Sequence, residues 1–365
     1  MMRRLAMLLF IPLMLVVASG TYLYLGSLKS KVVKEGAKLP TVVKPKFELP
    51  GTMYVVQAGA LFKLEKGVFT QVASGNWAQP TITPDHSKLV AVQRSDQSSD
   101  LYLLDLNGHI IKQLTHDGAR IIDANHWAFY PRVSADSSSV MYSYDSPKYG
   151  FQVDFSIWSM PLNGTQAQAR RRTTPNDHTG GDVNPIPLAG TAVLYVKHSN
   201  DATGVRSQIW YQPRSGFLGD ALTSAADDCG QPALSPDHSQ LAMICTGGTQ
   251  STRLEVAPFN GTTLGTPRVL IGGGLIAQPT WSPDGAGLAY FAPAGIVGHF
   301  ELWWVPVGTV VPVTTPKPTP KPTASATRAS TATATPAVST TAAPIVPLQV
   351  TTGLDLTATS APTWY

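Results

Sequence analysis

The sequence predicts an all-β chain, folded as a six-bladed β-propeller of four-stranded blades. Three observations lead there. First, one segment recurs: Gln79-Pro80-Thr81-Ile82-Thr83-Pro84-Asp85, Tyr130-Pro131-Arg132-Val133-Ser134-Ala135-Asp136, a degenerate copy from Asn184-Pro185, then Gln231-Pro232-Ala233-Leu234-Ser235-Pro236-Asp237 and Gln278-Pro279-Thr280-Trp281-Ser282-Pro283-Asp284. The prolines at 80, 131, 185, 232, 279 and 362 stand 51, 54, 47, 47 and 83 residues apart. Self-similarity on this scale marks a propeller or related array. Second, no stretch after residue 30 sustains a helical apolar period. Third, the chain closes on Ala361-Pro362-Thr363-Trp364-Tyr365, the opening of a repeat with nothing after it.

Taken in chain order, the first element is apolar. Arg3 and Arg4 precede a charge-free run from Leu5 to Leu25. At about 1.5 Å per residue it reaches about 31 Å, the thickness of a bilayer core. Residues 1–26 are expected to act as a signal anchor that places the propeller outside the cytoplasm. The small residues Val16-Val17-Ala18-Ser19-Gly20 leave cleavage, and a secreted protein, as the alternative. Residues 27–51 read as a tether, and 52–365 as the propeller.

The first blade has three strands of its own: Met53–Val56, Leu61–Leu64 and Phe69–Val72, the last two joined at Lys66-Gly67. Its fourth is expected from Ser360–Tyr365, which closes the ring and removes two exposed sheet edges. The second blade shows the full pattern. A β-branched run, Thr81–Thr83, turns at Pro84-Asp85-His86-Ser87 into the apolar Leu89–Val92. Leu101–Leu106 then turns at Asn107-Gly108 into Ile110–Leu114. Asn-Gly is a strong hairpin signal, because a type I′ turn needs positive φ at both central residues. It recurs at Asn163-Gly164 and Asn260-Gly261. Further blades open near 130, 184, 231 and 278.

Residues 309–346 are rich in Thr, Pro, Ala and Ser, with Lys317, Lys321 and Arg328 and no acid. Such a composition does not bury a core. The expectation is an insert inside the last blade, between Leu302–Val305 and Leu348–Thr351. Without it the last period falls to about 47, in keeping with the other repeats. The alternative is a propeller that stops at 308, followed by a tail.

Cys229 and Cys245 flank one hairpin whose midpoint falls at residue 237. In a regular antiparallel hairpin they become cross-strand neighbours about 4.5–5.5 Å apart, within disulfide reach. Two free buried thiols are the alternative. The formal charge is +4, much of it in the tethers. The basic run Arg170-Arg171-Arg172 sits on an outer strand, where edge charge is a common protection. Nucleic acid is therefore not an expected partner.

The core Pro279-Thr280-Trp281-Ser282-Pro283-Asp284-Gly285 resembles the TolB-type propeller repeat. That resemblance implies an extracytoplasmic six-bladed propeller. The same repeat occurs in envelope scaffolds, in propeller domains of prolyl-oligopeptidase-type peptidases and in some polysaccharide lyases. The family's N-terminal α/β domain finds no counterpart in the roughly 25 residues between apolar run and propeller. The fourth repeat, Pro185-Ile186-Pro187-Leu188-Ala189-Gly190, lacks the Ser-Pro-Asp turn.

Motifs for chemistry are sparse. There is no Gly-x-Ser-x-Gly elbow, His-Glu-x-x-His, EF-hand loop or P-loop. Asp85, Asp136, Asp237 and Asp284 recur at hairpin turns, where a structural role explains them, and His86 and His238 share those turns. The loops from the fourth strand of one blade to the first of the next gather at one mouth of a propeller. They carry Trp77, Asp123, Asn125, His126, Trp127, Asp177, His178, Asp182, Asp227 and Asp228, joined by Tyr144, Tyr149, Phe151 and Phe155 from a nearby loop. Converging carboxylates repel unless a cation sits among them. With oxygen donors dominant, calcium or magnesium is expected there, with Trp77 and Trp127 as walls. A solvated loop surface is the alternative. The overall expectation is a monomeric, membrane-tethered scaffold binding an envelope protein or polysaccharide. The alternative is a metal-dependent polysaccharide lyase or another carbohydrate-active enzyme working at the same mouth.

Overall fold

The computed structural model describes residues 48–146, 148, 153–248, 252–295, 298–308 and 346–365. The expected anchor, most of the tether and insert, and Tyr149 and Phe151 lie outside these residues. Among the described residues no helix is long and apolar enough to cross a membrane.

Six four-stranded antiparallel sheets form the six blades. Blade 2 runs Trp77–Ile82, Leu89–Arg94, Ser99–Leu104 and Ile110–Gln113. Blade 3 runs Ala128–Val133, Ser139–Tyr144, Ser156–Pro161 and Arg170–Arg171. Blade 4 runs Asp182–Pro187, Val193–Asp201, Gly204–Gln212 and Asp220–Ala221. Blade 5 runs Cys229–Leu234, Gln240–Cys245, Arg253–Pro258 and Arg268–Gly272. Blade 6 runs Ala277–Trp281, Gly287–Pro293, Phe300–Pro306 and Leu348–Gln349. The two strands on either side of residues 309–345 are therefore neighbours in one blade, with Trp304 opposite Leu348. Apolar side chains of adjoining sheets interlock between the blades: Leu194 and Ile209 of blade 4 pack with Leu241 and Met243 of blade 5.

Blade 1 is composite. Thr363–Trp364 pairs with Thr52–Gln57, which is followed by Ala60–Glu65 and Val68–Ala73. Met53 faces Trp364, and Tyr54 faces Thr363. Thr52 N–H donates to the Tyr365 carbonyl at 2.8 Å, and Tyr365 N–H returns to Thr52 at 3.0 Å. The Trp364 indole donates to the Pro50 carbonyl at 2.6 Å. Gly51 lets the strands approach: a Cβ there would stand 2.2 Å from the Tyr365 carbonyl oxygen.

The recurring proline has a role beyond marking a strand start. In blades 2 to 5 the inner strand begins three residues before it, at Trp77, Ala128, Asp182 and Cys229. This corrects the sequence reading, which placed Trp77 and Asp182 in inter-blade loops. Each inner strand of blades 2 to 6 shifts register across the proline, for example between Ala78 and Thr81. The residue before the proline has positive φ throughout: Gln79 50°, Tyr130 54°, Asn184 54°, Gln231 49° and Gln278 53°. This is a β-bulge, which admits an extra residue and relieves the proline of a ladder hydrogen bond it has no N–H to make.

Candidate functional site

The inner strands surround a central channel, and the bulges form its waist. A small cavity of about 20 Å³ lies there, lined by Gln79, Tyr130, Asn184, Gln231 and Gln278. A bulge frees a backbone N–H that needs a partner. Tyr130 N–H donates to Oε1 of Gln79 in the preceding blade at 2.6 Å, and Gln278 N–H to Oε1 of Gln231 at 2.7 Å. Gln79 N–H donates to Oγ of Ser360 at 2.6 Å, across the closure. The repeated glutamines thus sew one blade to the next.

The waist separates two cavities. On the side of the inter-blade loops lies one of about 420 Å³, reached by Phe129, Tyr130, Phe155, His198 and Asp228. On the side of the Ser-Pro-Asp turns lies one of about 520 Å³, walled by prolines together with Ile186, Trp281 and Trp364.

The residues that chain order brings to the loop side do not form one site. Trp77 is 3 % exposed, and its indole packs edge-on against Tyr102. It belongs to the core between blades rather than to a wall of the mouth. Asp182 is fully buried and paired with Lys197 at 3.2 Å. Burial pushes its carboxyl above the usual range, and the Lys197 ammonium opposes that shift. Asp228, just before blade 5, accepts from Ser207 N–H of blade 4 and from the Thr246 hydroxyl of blade 5, each at 2.8 Å. Asp123, Asp177, His178 and Asp227 are exposed. His178 has its N–H on the Asp154 carboxylate at 2.8 Å. Among the described residues no three His, Cys, Asp or Glu side chains gather as a metal would require. The calcium or magnesium site expected from these residues therefore has no donor set. Inter-blade loops share a face, but of their acids Asp182 and Asp228 are engaged with partners of their own, and Asp123, Asp177 and Asp227 are exposed.

His126 and Trp127 do enter a built arrangement. Nδ1 of His126 lies 2.9 Å from Oδ1 of Asp145, which also accepts the Trp127 N–H at 3.0 Å. Asp145 is fully buried, and the His126 ring lies 5.1 Å from that of Tyr144. The Tyr144 hydroxyl donates to Asp117 at 2.8 Å. Burial pushes the Asp117 carboxyl up, opposed by hydrogen bonds from Tyr144 and Gln166. A histidine oriented by a buried carboxylate is half of an acid–base pair. Here the ring face is packed, and the pair ties the loop before blade 3 to that blade's second strand. Trp127 stacks on Phe129 at 5.8 Å, Phe155 meets Phe129 edge-on at 5.8 Å, and the Arg94 guanidinium sits 5.8 Å from the Phe129 ring.

Asp117, Asp145 and Arg132 were missed in the sequence. For the two acids the only signal is position: Asp145 directly follows an apolar strand, and Asp117 follows the fourth strand of blade 2. For Arg132 the repeats carry a clear one. The residue after the proline is Thr81, Arg132, Ile186, Ala233, Thr280 and Thr363 in turn.

The turn acids are structural. The Thr83, Ser134, Ser235 and Ser282 hydroxyls donate to Asp85, Asp136, Asp237 and Asp284 at 2.5–2.6 Å. The aspartate also accepts a backbone N–H two residues on. These bonds hold Asp85, Asp136 and Asp237 down at about 2.

No protein-family model matches the sequence, and no curated protein does. Among solved structures, TolB from Acinetobacter baumannii is similar with TM-score 0.53 and 19 % identity, covering 71 % of this chain and 62 % of that one. The chain thus matches less than two thirds of that relative's length. A putative TolB from Agrobacterium tumefaciens aligns with TM-score 0.48 and 15 % identity over 70 % of this chain and 84 % of that one. A puromycin-hydrolysing peptidase from Mycobacterium tuberculosis gives 0.46 and 15 % over 73 % and 43 %. At these identities the likeness concerns architecture, and the architecture here is the six-bladed β-propeller of the TolB type.

Proposed function

We propose that this chain is a membrane-tethered, extracytoplasmic binding scaffold that holds an envelope protein or polymer at the loop-side mouth of its channel. The observation that carries the reading is the aromatic group at that mouth. Trp127, Phe129 and Phe155 are half-buried, mutually packed and backed by Arg94, beside a cavity of about 420 Å³. Clustered aromatics give large, rigid contact area at low entropic cost, and they dominate binding surfaces for that reason. The apolar run Leu5–Leu25 supports the tether. The test is cross-linking in native envelopes with the full chain and with Phe129→Ala. The reading expects a cross-linked partner that Phe129→Ala loses while the propeller's melting transition persists. A partner captured equally by both proteins rules out this mouth.

A further inference from the structure

Arg132 is out of keeping with its ring. Five of the six positions that follow the repeat proline carry Thr, Ile or Ala. The sixth carries an arginine, and its side chain reaches both the waist and the larger, turn-side cavity. No Asp or Glu lines either cavity. Among the described residues Arg132 has no ion pair. Its one hydrogen bond is a long one, 3.4 Å, to the carbonyl of its own neighbour Pro131. A guanidinium has five N–H donors in a fixed fork, so most of this one's capacity is unspent. Burial pulls it down to about 10, with no opposing charge to restore it. It stays protonated at neutral pH.

The surroundings narrow what would complete it. The acids of the Ser-Pro-Asp turns, at the same end of the channel, are held by their own serine or threonine hydroxyls. His86 and His238 stand at the rim. The walls between rim and waist are mostly apolar, prolines with Ile186, Trp281 and Trp364, interrupted by Thr81, Thr280 and Thr363. One fixed cation at the bottom of an apolar shaft matches a monoanion with an apolar body. The volume, about 520 Å³, falls in the range of small-ligand sites. An arginine fork pairs with a carboxylate through two parallel N–H···O bonds.

We propose that the turn-side half of the channel is a receptor for an apolar carboxylate, whose head is held by the Arg132 guanidinium and whose body lies against Trp281, Trp364 and the inner-strand prolines. This concerns the opposite end of the channel from the aromatic mouth, so it stands or falls independently of the scaffold reading. The same chemistry comes from a free carboxylic acid or from the carboxyl end of a peptide, and the test separates them.

The experiment titrates the full chain, by tryptophan fluorescence and calorimetry, with hexanoate, hexanamide, N-acetyl-Ala-Pro-Leu and the amide of that peptide. The same titrations are run on Arg132→Met and Arg132→Gln. At least one carboxylate binds at millimolar concentration or better, and its neutral partner does not. Both substitutions weaken that binding at least about tenfold, a loss of about 1.4 kcal/mol. Without ligand, Arg132→Met melts no lower than the native chain, because an uncompensated, half-buried charge has been replaced by an apolar side chain of similar length. Binding of hexanoate alone assigns a free acid, and binding of the peptide acid alone assigns a chain end. Equal binding of acids and amides overturns the proposal. So does unchanged affinity in the folded Arg132→Gln protein, or no binding by either acid.

Discussion

Asp182 and Lys197 occupy in blade 4 the cross-strand position that Cys229 and Cys245 occupy in blade 5. One site is thus closed by an ion pair and its neighbour by a covalent bond. Both ions are buried, with Lys197 6 % exposed, and Lys197 also donates to the Thr174 carbonyl at 2.8 Å. Removing one partner of a buried pair leaves a stranded charge. Lys197→Met is therefore expected to cost about 3–5 kcal/mol in urea unfolding, while the Asp182→Leu/Lys197→Met double variant recovers most of that loss. A double variant as unstable as the single one would show that the pair adds net stability. The turn acids give a pH dependence whose sign is fixed. Asp85, Asp136 and Asp237 sit at about 2 in the fold, against 3.8 ordinarily, so their hydrogen bonds favour the folded chain wherever they are ionised. That contribution is complete above the ordinary value and fades as pH falls toward 2. Melting temperatures from pH 5 to pH 2 should decline across this window, and Asp237→Asn should make the decline shallower.

At the level of the hairpin, the disulfide shows what residue counting captures and what it leaves out. Cys229 and Cys245 are bonded, with Cα atoms 4.1 Å apart. Counting from a midpoint at 237 gave the right pair for an incomplete reason. Near the turn Leu234 pairs with Leu241 and Ala233 with Ala242, a register that would set residue 229 opposite 246. The bulge at Gln231-Pro232 shifts the register by one and brings 229 opposite 245. Bulges were invisible because proline reads as the end of a ladder, and because a residue before proline normally avoids helical and left-handed backbone. The loop between the cysteines is short, so Cys229→Ala/Cys245→Ala is expected to lose about 3 kcal/mol in the chain-entropy account. Non-reducing mass spectrometry of native protein should show no alkylatable thiol. The strands flanking residues 309–345 pair directly, Trp303 with Gln349. Because loop closure costs only about 0.6 kcal/mol per doubling of length, replacing that segment with a short turn should leave the melting transition within a few degrees.

For the molecule as a whole, the blade count, the composite first blade and the turn role of the recurring acids were legible, since each follows from a period or a turn signal repeated several times. The loop-side site was not. Chain order says which loops share a face, yet whether Asp182 turns inward to Lys197 or outward to solvent depends on one residue of strand extent. No such cation cluster forms among the described residues, while Arg132, the one charged residue in its column, went unread. Closure itself is testable. Removing residues 360–365 takes away the Gln79 N–H partner Ser360, the Trp364 indole contact and the inner strand of blade 1. The truncated chain should melt lower or aggregate in a thermal scan, and unchanged melting would mean that blade 1 does not need its inner strand.

The closure also sets a timetable. Met53 cannot meet Trp364 until more than three hundred further residues have been synthesised. Through that interval the nascent first blade offers the flank of Thr52–Gln57 with its backbone donors and acceptors unpaired, the kind of surface to which stray strands add. The intervening blades can form as local hairpins in the meantime, so closure waits for the strand at Thr363–Trp364. The strand that completes blade 1 thus arrives long after its partner, and a pause or a premature release between the two during synthesis would leave that edge exposed.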